Sequence, residues 1–584
     1  MQFQISIDPH FPHLLNIHLR LYRPDPNTEL KLPRWRPGRY SYADYAKDIA
    51  DIHVCDPSGD TVSITRIETN AWHVACKKNT DYLDISYRFF PNKADAGGSW
   101  FDDELFLLNP INCFLYTEQH KDQVHSVQLP TAYQYYTQLT EESHGYFEAT
   151  DFQQLLDSPV IGHSDTAEVI VTSLTDIPVS VDFVEIKRKG APSVQSEIEA
   201  LAPVIKAQVA LFDGCPVDHY DFLFFPSPNR MRHGVEHVAS SLLVMGPSST
   251  FTEADTISSL LELSSHEFFH VWNVKNIRPQ AMLPYQFDHL PPTPLHYVTE
   301  GVTTYYGDLM IWKAGVWEMD RWLKSINNEL LRFFGKPARL HTSLRQASLD
   351  SAINGYQEKG VPDRRISFYN KGYLVAMLLD FAIRQSSDHA YSLDHVMRSM
   401  YRTFGVPQIG YTEADFWKLV ERFSGKSSDT FKAAFVDGLE DLCPALESMG
   451  TAVGLELTML PYHDPLTREL GLVTEAHLRG QKLTYLYQES PLLQFGLRYG
   501  DVITHINDIA TQLVDWKGAV NDQGLIKHIK YLRNGEEFHL DVGARSLINM
   551  SLPQFAVLLS PDQKQLAARQ SWKAIPKAVE VLSK

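Results

Sequence analysis

The sequence has few cysteines and no closely spaced pair of them. Its 584 residues include five cysteines, and none forms a Cys-x-x-Cys motif; they are Cys55, Cys76, Cys113, Cys215 and Cys443. Because they are few, scattered and odd in number, they exclude a disulfide framework and indicate free thiols in a reducing compartment. We therefore expect a cytoplasmic protein.

Long apolar runs are also missing, and the first residues lack the pattern of a secretory leader. No uninterrupted apolar segment approaches the roughly 20 residues that a membrane-spanning helix needs. The first eight residues alternate in polarity like a β-strand and lack a basic start followed by an apolar stretch, so we expect no signal peptide. A membrane is not an expected partner.

Basic residues are in the minority. The chain has 53 Lys and Arg against 71 Asp and Glu, a net charge of −18. Such an acidic protein is a poor candidate for binding nucleic acid or anionic lipid. The remaining composition, 44% hydrophobic and 21% charged, is ordinary for a soluble globular protein and excludes disorder or a fibrous repeat.

The hydrophobic pattern changes character along the chain. Residues 1–165 alternate in polarity and are punctuated by Gly and Pro pairs, which predicts strands and turns. Long amphipathic helices dominate from about residue 255 to 446, and strand-like runs return after Gly450. The basic, alanine-containing tail predicts one further helix. This order indicates several domains rather than one.

A short motif near the middle of the chain has the spacing of a metal site. His266-Glu267-Phe268-Phe269-His270 places two histidines four residues apart, which puts both on one face of a helix. Two imidazoles so placed can hold one zinc ion, while Glu267 projects sideways and can act as a base toward the attacking water. The plainer alternative is two surface histidines beside an acid.

Glu300 is the candidate third ligand. It lies in Thr299-Glu300-Gly301, with 29 residues between it and His270. The Pro-rich stretch between the two lets a second helix fold back against the first. Catalytic zinc sites have three protein ligands and one open position, which Glu300 would complete. The alternative is an ordinary acid stabilised at a helix N-terminus.

Together these motifs resemble a known family. H-E-x-x-H followed by a helical Glu-Gly is similar to the gluzincin metallopeptidases. The longer strings His266–Lys275 and Trp35-Arg36-Pro37-Gly38-Arg39-Tyr40 resemble the glycyl aminopeptidase family. The loop before Glu300 is longer than in aminopeptidase N, which leaves the packing of Glu300 open.

The resemblance implies a multidomain α+β architecture. We expect an N-terminal antiparallel β-sandwich-like domain, then a thermolysin-like α+β catalytic domain with a mostly helical lobe, and then a PDZ-like domain. The expected boundaries are 1–165 for the first, 166–450 for the second, 451–555 for the third and 556–584 for a C-terminal tail.

A second implied site concerns the substrate amine. His233-Gly234-Val235-Glu236-His237 resembles the G-x-M-E-N motif of gluzincin aminopeptidases, in which an edge strand pairs with substrate and the acid binds the free α-amine. Glu236 is therefore the expected amine anchor, because a carboxylate can bind an ammonium group by charge-assisted hydrogen bonds. The resemblance also makes Gly234 and His237 candidate substrate-binding residues, although His237 stands where the motif has Asn and could simply pack.

Tyr369 is the remaining catalytic candidate. It lies in Phe368-Tyr369-Asn370-Lys371-Gly372, which resembles the Y-x-K-G motif whose tyrosine donates a hydrogen bond to the oxyanion. Without the resemblance we would interpret Tyr369 as a packed aromatic at a helix start.

The PDZ-like expectation depends on Glu489–Ile503. This segment is similar to the bacterial pattern S-P-A-x-x-A-G-L-x-x-G-D-x-I, with Leu492 and Phe495 in place of small alanines. PDZ domains bind an extended C-terminus by adding a strand to a sheet edge. A peptide-binding role and a purely structural role are both open.

The expected function is a one-zinc aminopeptidase acting on peptides with a free N-terminus. The resemblance implies a preference for small N-terminal residues, Gly or Ala. The alternatives are a zinc endopeptidase or another amide hydrolase, and a non-catalytic scaffold whose PDZ-like domain binds partners.

Overall fold

The computed structural model of the protein describes residues 1–353, 361, 364–523, 526–542 and 548–576. Within these ranges the prediction of a multidomain α+β chain with an N-terminal β-rich domain and a helical lobe is confirmed. The five cysteines are all free. None of the described helices is both long and apolar enough to cross a membrane.

The N-terminal domain is built from strands in three sheets. Its strands β1 to β14 are Gln2–Ile7, Leu15–Tyr22, Asn27–Lys31, Ile49–Cys55, Ile64–Glu68, Ala71–Ala75, Tyr82–Phe89, Trp100–Phe101, Leu105–Leu108, His125–Gln128, Gln134–Tyr136, Thr140–Ser143, Tyr146–Ala149 and Val160–His163. A seven-stranded sheet has the order β12-β13-β10-β1-β2-β7-β4, beside a four-stranded sheet β11-β14-β9-β8 and a three-stranded sheet β3-β6-β5. Helix α1 is Phe152–Leu156.

Pairing in this domain is antiparallel, as predicted, with one departure. Strand β1 pairs in parallel with β10, with Gln2 opposite Ser126. The alternating burial of β2 places one face of the large sheet in the core, as expected for a sheet with one solvated side.

The second domain has a mixed five-stranded sheet. Its strands β15 to β19 are Glu168–Leu174, Ser180–Lys187, His219–Pro226, Met231–Glu236 and Ser240–Gly246. The order is β15-β16-β17-β19-β18, with β16, β17 and β19 parallel and the outer strands antiparallel. Strand β18 therefore forms an edge. Helix α2 (Leu201–Phe212) lies between β16 and β17 in sequence, and α3 (Ala254–Phe269) follows β19.

The helical lobe follows α3. Helices α4 to α11 are Thr303–Lys313, Met319–Phe334, Leu344–Leu349, Phe368–Ser386, Leu393–Met400, Glu413–Ser424, Asp429–Phe431 and Cys443–Ala452. Wider, π-helical turns span Tyr297–Val302, Tyr401–Gly405 and Lys432–Asp437.

Short 3-10 turns occur in all parts of the chain. They span Tyr45–Asp48, Pro110–Asn112, Gln195–Ala200, Ser248–Thr250, Gln280–Met282, Pro337–Leu340, Asp350–Ala352 and Leu493–Phe495.

A C-terminal module with its own hydrophobic core is inserted between two paired strands. Strands β20 (Leu455–Pro461) and β27 (Ser551–Val557) are antiparallel, with Pro461 opposite Ser551. The elements between them are α12 (Pro465–Leu470), β21 to β24 (Leu472–His477, Gly480–Leu486, Val502–Ile506, Ile509–Ala510), α13 (Trp516–Gln523), β25 (His528–Arg533) and β26 (Glu536–Asp541). The PDZ-like interpretation of this module stays a prediction.

After the module the chain returns to the helical lobe. Helix α14 (Gln563–Lys573) lies where the sequence predicts a tail helix. Its Trp572 is buried, packs against Trp312 and Trp322, and donates a hydrogen bond from Nε1 to the Tyr305 hydroxyl at 2.8 Å. The last described helix therefore completes the core of the lobe.

Candidate metal centre

The three predicted ligand residues converge. The Nε2 atoms of His266 and His270 lie 3.0 Å apart at the C-terminal end of α3, where His270 is the first residue after the helix. Glu300 Oε2 lies 3.7 Å from the first and 3.4 Å from the second. Donor atoms 2.0–2.1 Å from a tetrahedral zinc ion are separated by roughly 3.4 Å, so this triangle has the size that zinc requires. The donor set, two imidazoles and a carboxylate, fits zinc as well.

Hydrogen bonds orient the predicted ligand side chains. His270 Nδ1 donates to the Asn273 carbonyl oxygen at 2.7 Å, which leaves the Nε2 lone pair free to face a metal. The Asn273 side chain in turn donates to the Val298 carbonyl and to Thr303 Oγ1, at 2.9 and 3.0 Å. Asn273 thus ties the end of α3 to the turn that carries Glu300.

A backbone contact sets the position of that turn against α7. A Cβ added to Gly301 would lie 2.5 Å from the Gly372 Cα, and one added to Gly372 would lie 2.7 Å from the Gly301 Cα. Only glycine at both positions permits this approach. The contact brings the Glu300 turn next to the start of α7, where Tyr369 lies.

Charge and burial perturb the ionisable groups of the cluster. Burial alone would raise the pKa of Glu300, but the neighbouring His270 and His266 outweigh it and hold that pKa well below its ordinary value. Burial opposes protonation of His270, yet the carboxylates of Glu300 and Glu236 raise its pKa to about 10. Burial first, and then the charges of Glu236 and Glu300, raise the pKa of Glu267 to about 8.

The edge strand β18 faces the same cleft. Gly234 and Glu236 are two residues apart and so lie on one face of the strand. A Cβ at Gly234 would lie 2.2 Å from Glu267 Oε1. Glu236 is 3% exposed, and its Oε1 has no hydrogen-bond partner among the described residues. Donor atoms of Glu236, Glu267 and His270 all lie within 4.8 Å of one another.

Tyr369 also lines this cleft, and His237 does not. The half-buried Tyr369 ring lies 6.5 Å from the His266 ring, centroid to centroid. His237 follows the end of the strand, and its Nδ1 lies 3.3 Å from Asp157 Oδ1. Asp157 also accepts hydrogen bonds from Lys275 Nζ and the Val238 amide. This placement agrees with the packing alternative for His237.

One residue at the centre had no predicted role. The Tyr40 hydroxyl, from the N-terminal domain, donates a hydrogen bond to Glu300 Oε1 at 2.7 Å. The available signal was the Trp35–Tyr40 string, which carried the family resemblance but no assigned function. Asn273 was missed in the same way, since it lies within the longer string after the H-E-x-x-H motif.

Two family models match the chain. Residues 2–162 match the Peptidase M61 N-terminal domain, and residues 259–375 match the M61 glycyl aminopeptidase. The second match contains the residues His266, His270 and Glu300. Among curated proteins, none matches the chain.

One solved structure shows the same fold over nearly the whole chain. The crystal structure of an aminopeptidase N family protein from Idiomarina loihiensis matches with a TM-score of 0.86 and 23% identity, over 98% of this chain and all of that one. An M1 zinc metallopeptidase from Deinococcus radiodurans is more distant, with a TM-score of 0.47 and 14% identity over 75% of this chain and 93% of that one.

The two family matches occur in the predicted order, and the second spans His266, Glu267, His270 and Glu300. The chain is a zinc metallopeptidase, and its residues 2–162 and 259–375 are similar to the N-terminal domain and the catalytic domain of the M61 glycyl aminopeptidases.

Proposed function

We propose that the protein is an aminopeptidase that hydrolyses the first peptide bond of substrates with a free N-terminus. In this proposal one zinc ion is held by His266, His270 and Glu300. The observation that carries it is the Glu236 carboxylate, which is buried beside the cluster with one oxygen unpartnered. A buried polar atom without a hydrogen-bond partner needs an explanation. A bound ammonium group would explain it, because its charge is complementary to that of the carboxylate.

The chemistry supplied by a bound zinc ion is polarisation of the scissile carbonyl and a lowered pKa, about 7, for the attacking water. The protein's own residues do the rest. Glu267 accepts the proton of the attacking water and delivers it to the leaving amine. Its place next to Gly234, where no side chain could fit, supports this role because the carboxylate can face the cleft directly.

Tyr369 is the proposed oxyanion donor. Its hydroxyl would donate a hydrogen bond to the carbonyl oxygen as negative charge develops there, a contribution of about 3 kcal/mol. Its position on the first turn of α7, in the lining of the cleft, supports the role.

Glu236 would fix the α-amine and so limit cleavage to one residue from the end. Gly38 approaches its carboxylate so closely that a Cβ there would lie 2.2 Å from Glu236 Oε2. The preference for Gly or Ala at the substrate N-terminus is proposed on the family resemblance.

The C-terminal module is proposed to be PDZ-like. Strand β21 lies at the edge of its sheet, and an edge strand is where such domains add an extended peptide. The opposing alternative is a structural role for the module. Peptide binding by this edge strand is tested by titrating the full-length protein with short peptides that end in a free carboxylate.

The test of the main proposal combines Glu267→Gln with two substrates. The variant should keep one zinc per chain, measured by metal analysis, and lose turnover of alanine p-nitroanilide. The wild type should cleave this substrate and not its N-acetylated form. Cleavage of the blocked form at equal rate would favour the endopeptidase or other amide hydrolase, and absence of both zinc and turnover would favour the non-catalytic scaffold.

A further inference from the structure

The segment Trp35–Tyr40 is the part of the N-terminal domain that reaches the metal centre. We propose that it is a positioning element of the active site, in which Tyr40 orients the zinc ligand Glu300 and Gly38 makes room for the amine anchor Glu236. The proposal rests on the ligand and anchor roles given above, and adds the residues that hold those two carboxylates in place.

Tyr40 selects which oxygen of Glu300 faces the histidines. The Tyr40 hydroxyl is bonded to Oε1, whereas Oε2 is the atom 3.4 Å from His270 Nε2. A carboxylate with neither oxygen engaged can rotate, so the hydrogen bond fixes the orientation in which Oε2 is presented to a metal.

The Tyr40 ring is itself held firmly. It is 1% exposed. Its centroid lies 3.8 Å from that of His296 and 6.2 Å from that of Phe368. Because these neighbours pack against the ring, phenylalanine at position 40 would keep this packing and lose the hydrogen bond to Glu300.

The rest of the segment is fastened to the loop between the two ligand-bearing elements. Trp35 Nε1 donates to the carbonyl oxygens of Gln286 and His289, at 2.6 and 3.0 Å. The Arg34 amide donates to the Phe287 carbonyl at 2.8 Å. The N-terminal domain is therefore bonded to the connection between His270 and Glu300 as well as to Glu300 itself.

Gly38 acts on the other carboxylate. Its φ of +81° is a conformation that side chains disfavour, and the Cβ of any other residue would overlap Glu236 Oε2. A side chain here would push the Glu236 carboxylate aside. Gly59 offers a matched control, because it has φ +84° with nothing within 4 Å of an added Cβ.

The first test compares Tyr40→Phe with Tyr87→Phe. Tyr87 is a buried tyrosine of the same domain whose hydroxyl donates to the Cys113 carbonyl at 2.8 Å, and neither of these residues lines the cleft of the metal centre. Zinc affinity is measured by competition with a chromophoric chelator. Tyr40→Phe should weaken zinc binding about 10- to 100-fold, as loss of a ligand's hydrogen-bond partner does, while Tyr87→Phe leaves it unchanged.

Equal zinc affinity in wild type and Tyr40→Phe would overturn the Tyr40 part of the proposal. A wild type that binds no zinc would instead overturn the proposed function, so the two failures are distinct. An equal loss of affinity in both variants would mean that a general loosening of the domain, and not the bond to Glu300, is responsible.

The second test compares Gly38→Ala with Gly59→Ala. Both substitutions strain a positive-φ position, but only the first displaces Glu236. Gly38→Ala should raise KM for alanine p-nitroanilide about tenfold or more, equivalent to loss of one charge-assisted hydrogen bond, with zinc affinity unchanged. The same KM in the two variants would contradict the role of Gly38.

Discussion

Replacing Glu236 with glutamine removes a charge and keeps the shape of the side chain. The carboxylate is 3% exposed and has an unpartnered oxygen, so an ammonium group bound there would be screened very little by water. A hydrogen bond to a charged partner contributes about 1.5–3 kcal/mol. At about 1.4 kcal/mol for each tenfold change, kcat/KM for free-amine substrates should fall roughly 10- to 150-fold.

The assay measures kcat/KM for alanine p-nitroanilide together with zinc content and thermal stability. Glu185→Gln is the matched control, because Glu185 is a buried glutamate of the same sheet that bonds to Ser193 and the Val194 amide. The Glu185→Gln substitution should lower the thermal stability and leave kcat/KM unchanged. A loss below about threefold in Glu236→Gln, or an equal loss in the control, would refute amine recognition by Glu236.

Two further predictions concern Gly234 and Lys371. Gly234→Ala should remove most of the turnover and keep zinc, because the new Cβ would lie 2.2 Å from Glu267 Oε1; an unchanged kcat would show that Glu267 can move without cost. Burial lowers the pKa of Lys371 to about 8, so the folded state loses this proton at a lower pH than the unfolded state does. The buried positive charge therefore destabilises the fold fully below pH 8, and this effect fades as the pH rises toward 10.5. Lys371→Met should therefore raise the free energy of unfolding at pH 7 by about 3 kcal/mol, with a smaller gain at pH 10 in urea titrations; an equal gain at both pH values would contradict the buried charge.

The metal centre was the part most accessible from sequence. The spacing of His266 and His270 fixes their relation on any helix, and the turn at Glu300 needed only a flexible connection to reach them. The change from strand to helix patterning likewise gave the order of the β-rich domain and the helical lobe. These features depend on local periodicity, which a sequence displays directly.

Contacts between distant parts of the chain could not be predicted from the sequence. The bond between Tyr40 and Glu300 joins residues 260 positions apart, and no local pattern marks either one as the partner of the other. The parallel pairing of β1 with β10 is hidden for the same reason. The direction of His237 could have been inferred, since strand alternation places it opposite Gly234 and Glu236.

The way the C-terminal module is joined to the chain affects how it can be studied. A truncation after residue 450 would delete the module together with Trp572, and the helical lobe would lose a tryptophan that packs on two others. Loss of activity in such a fragment would report a broken core. Removing only the residues between Pro461 and Ser551, which face each other across a strand pair, and joining the two ends by a tight hairpin turn would leave the enzyme whole. On the ribosome the same arrangement means that the lobe can finish folding only after the entire module has emerged.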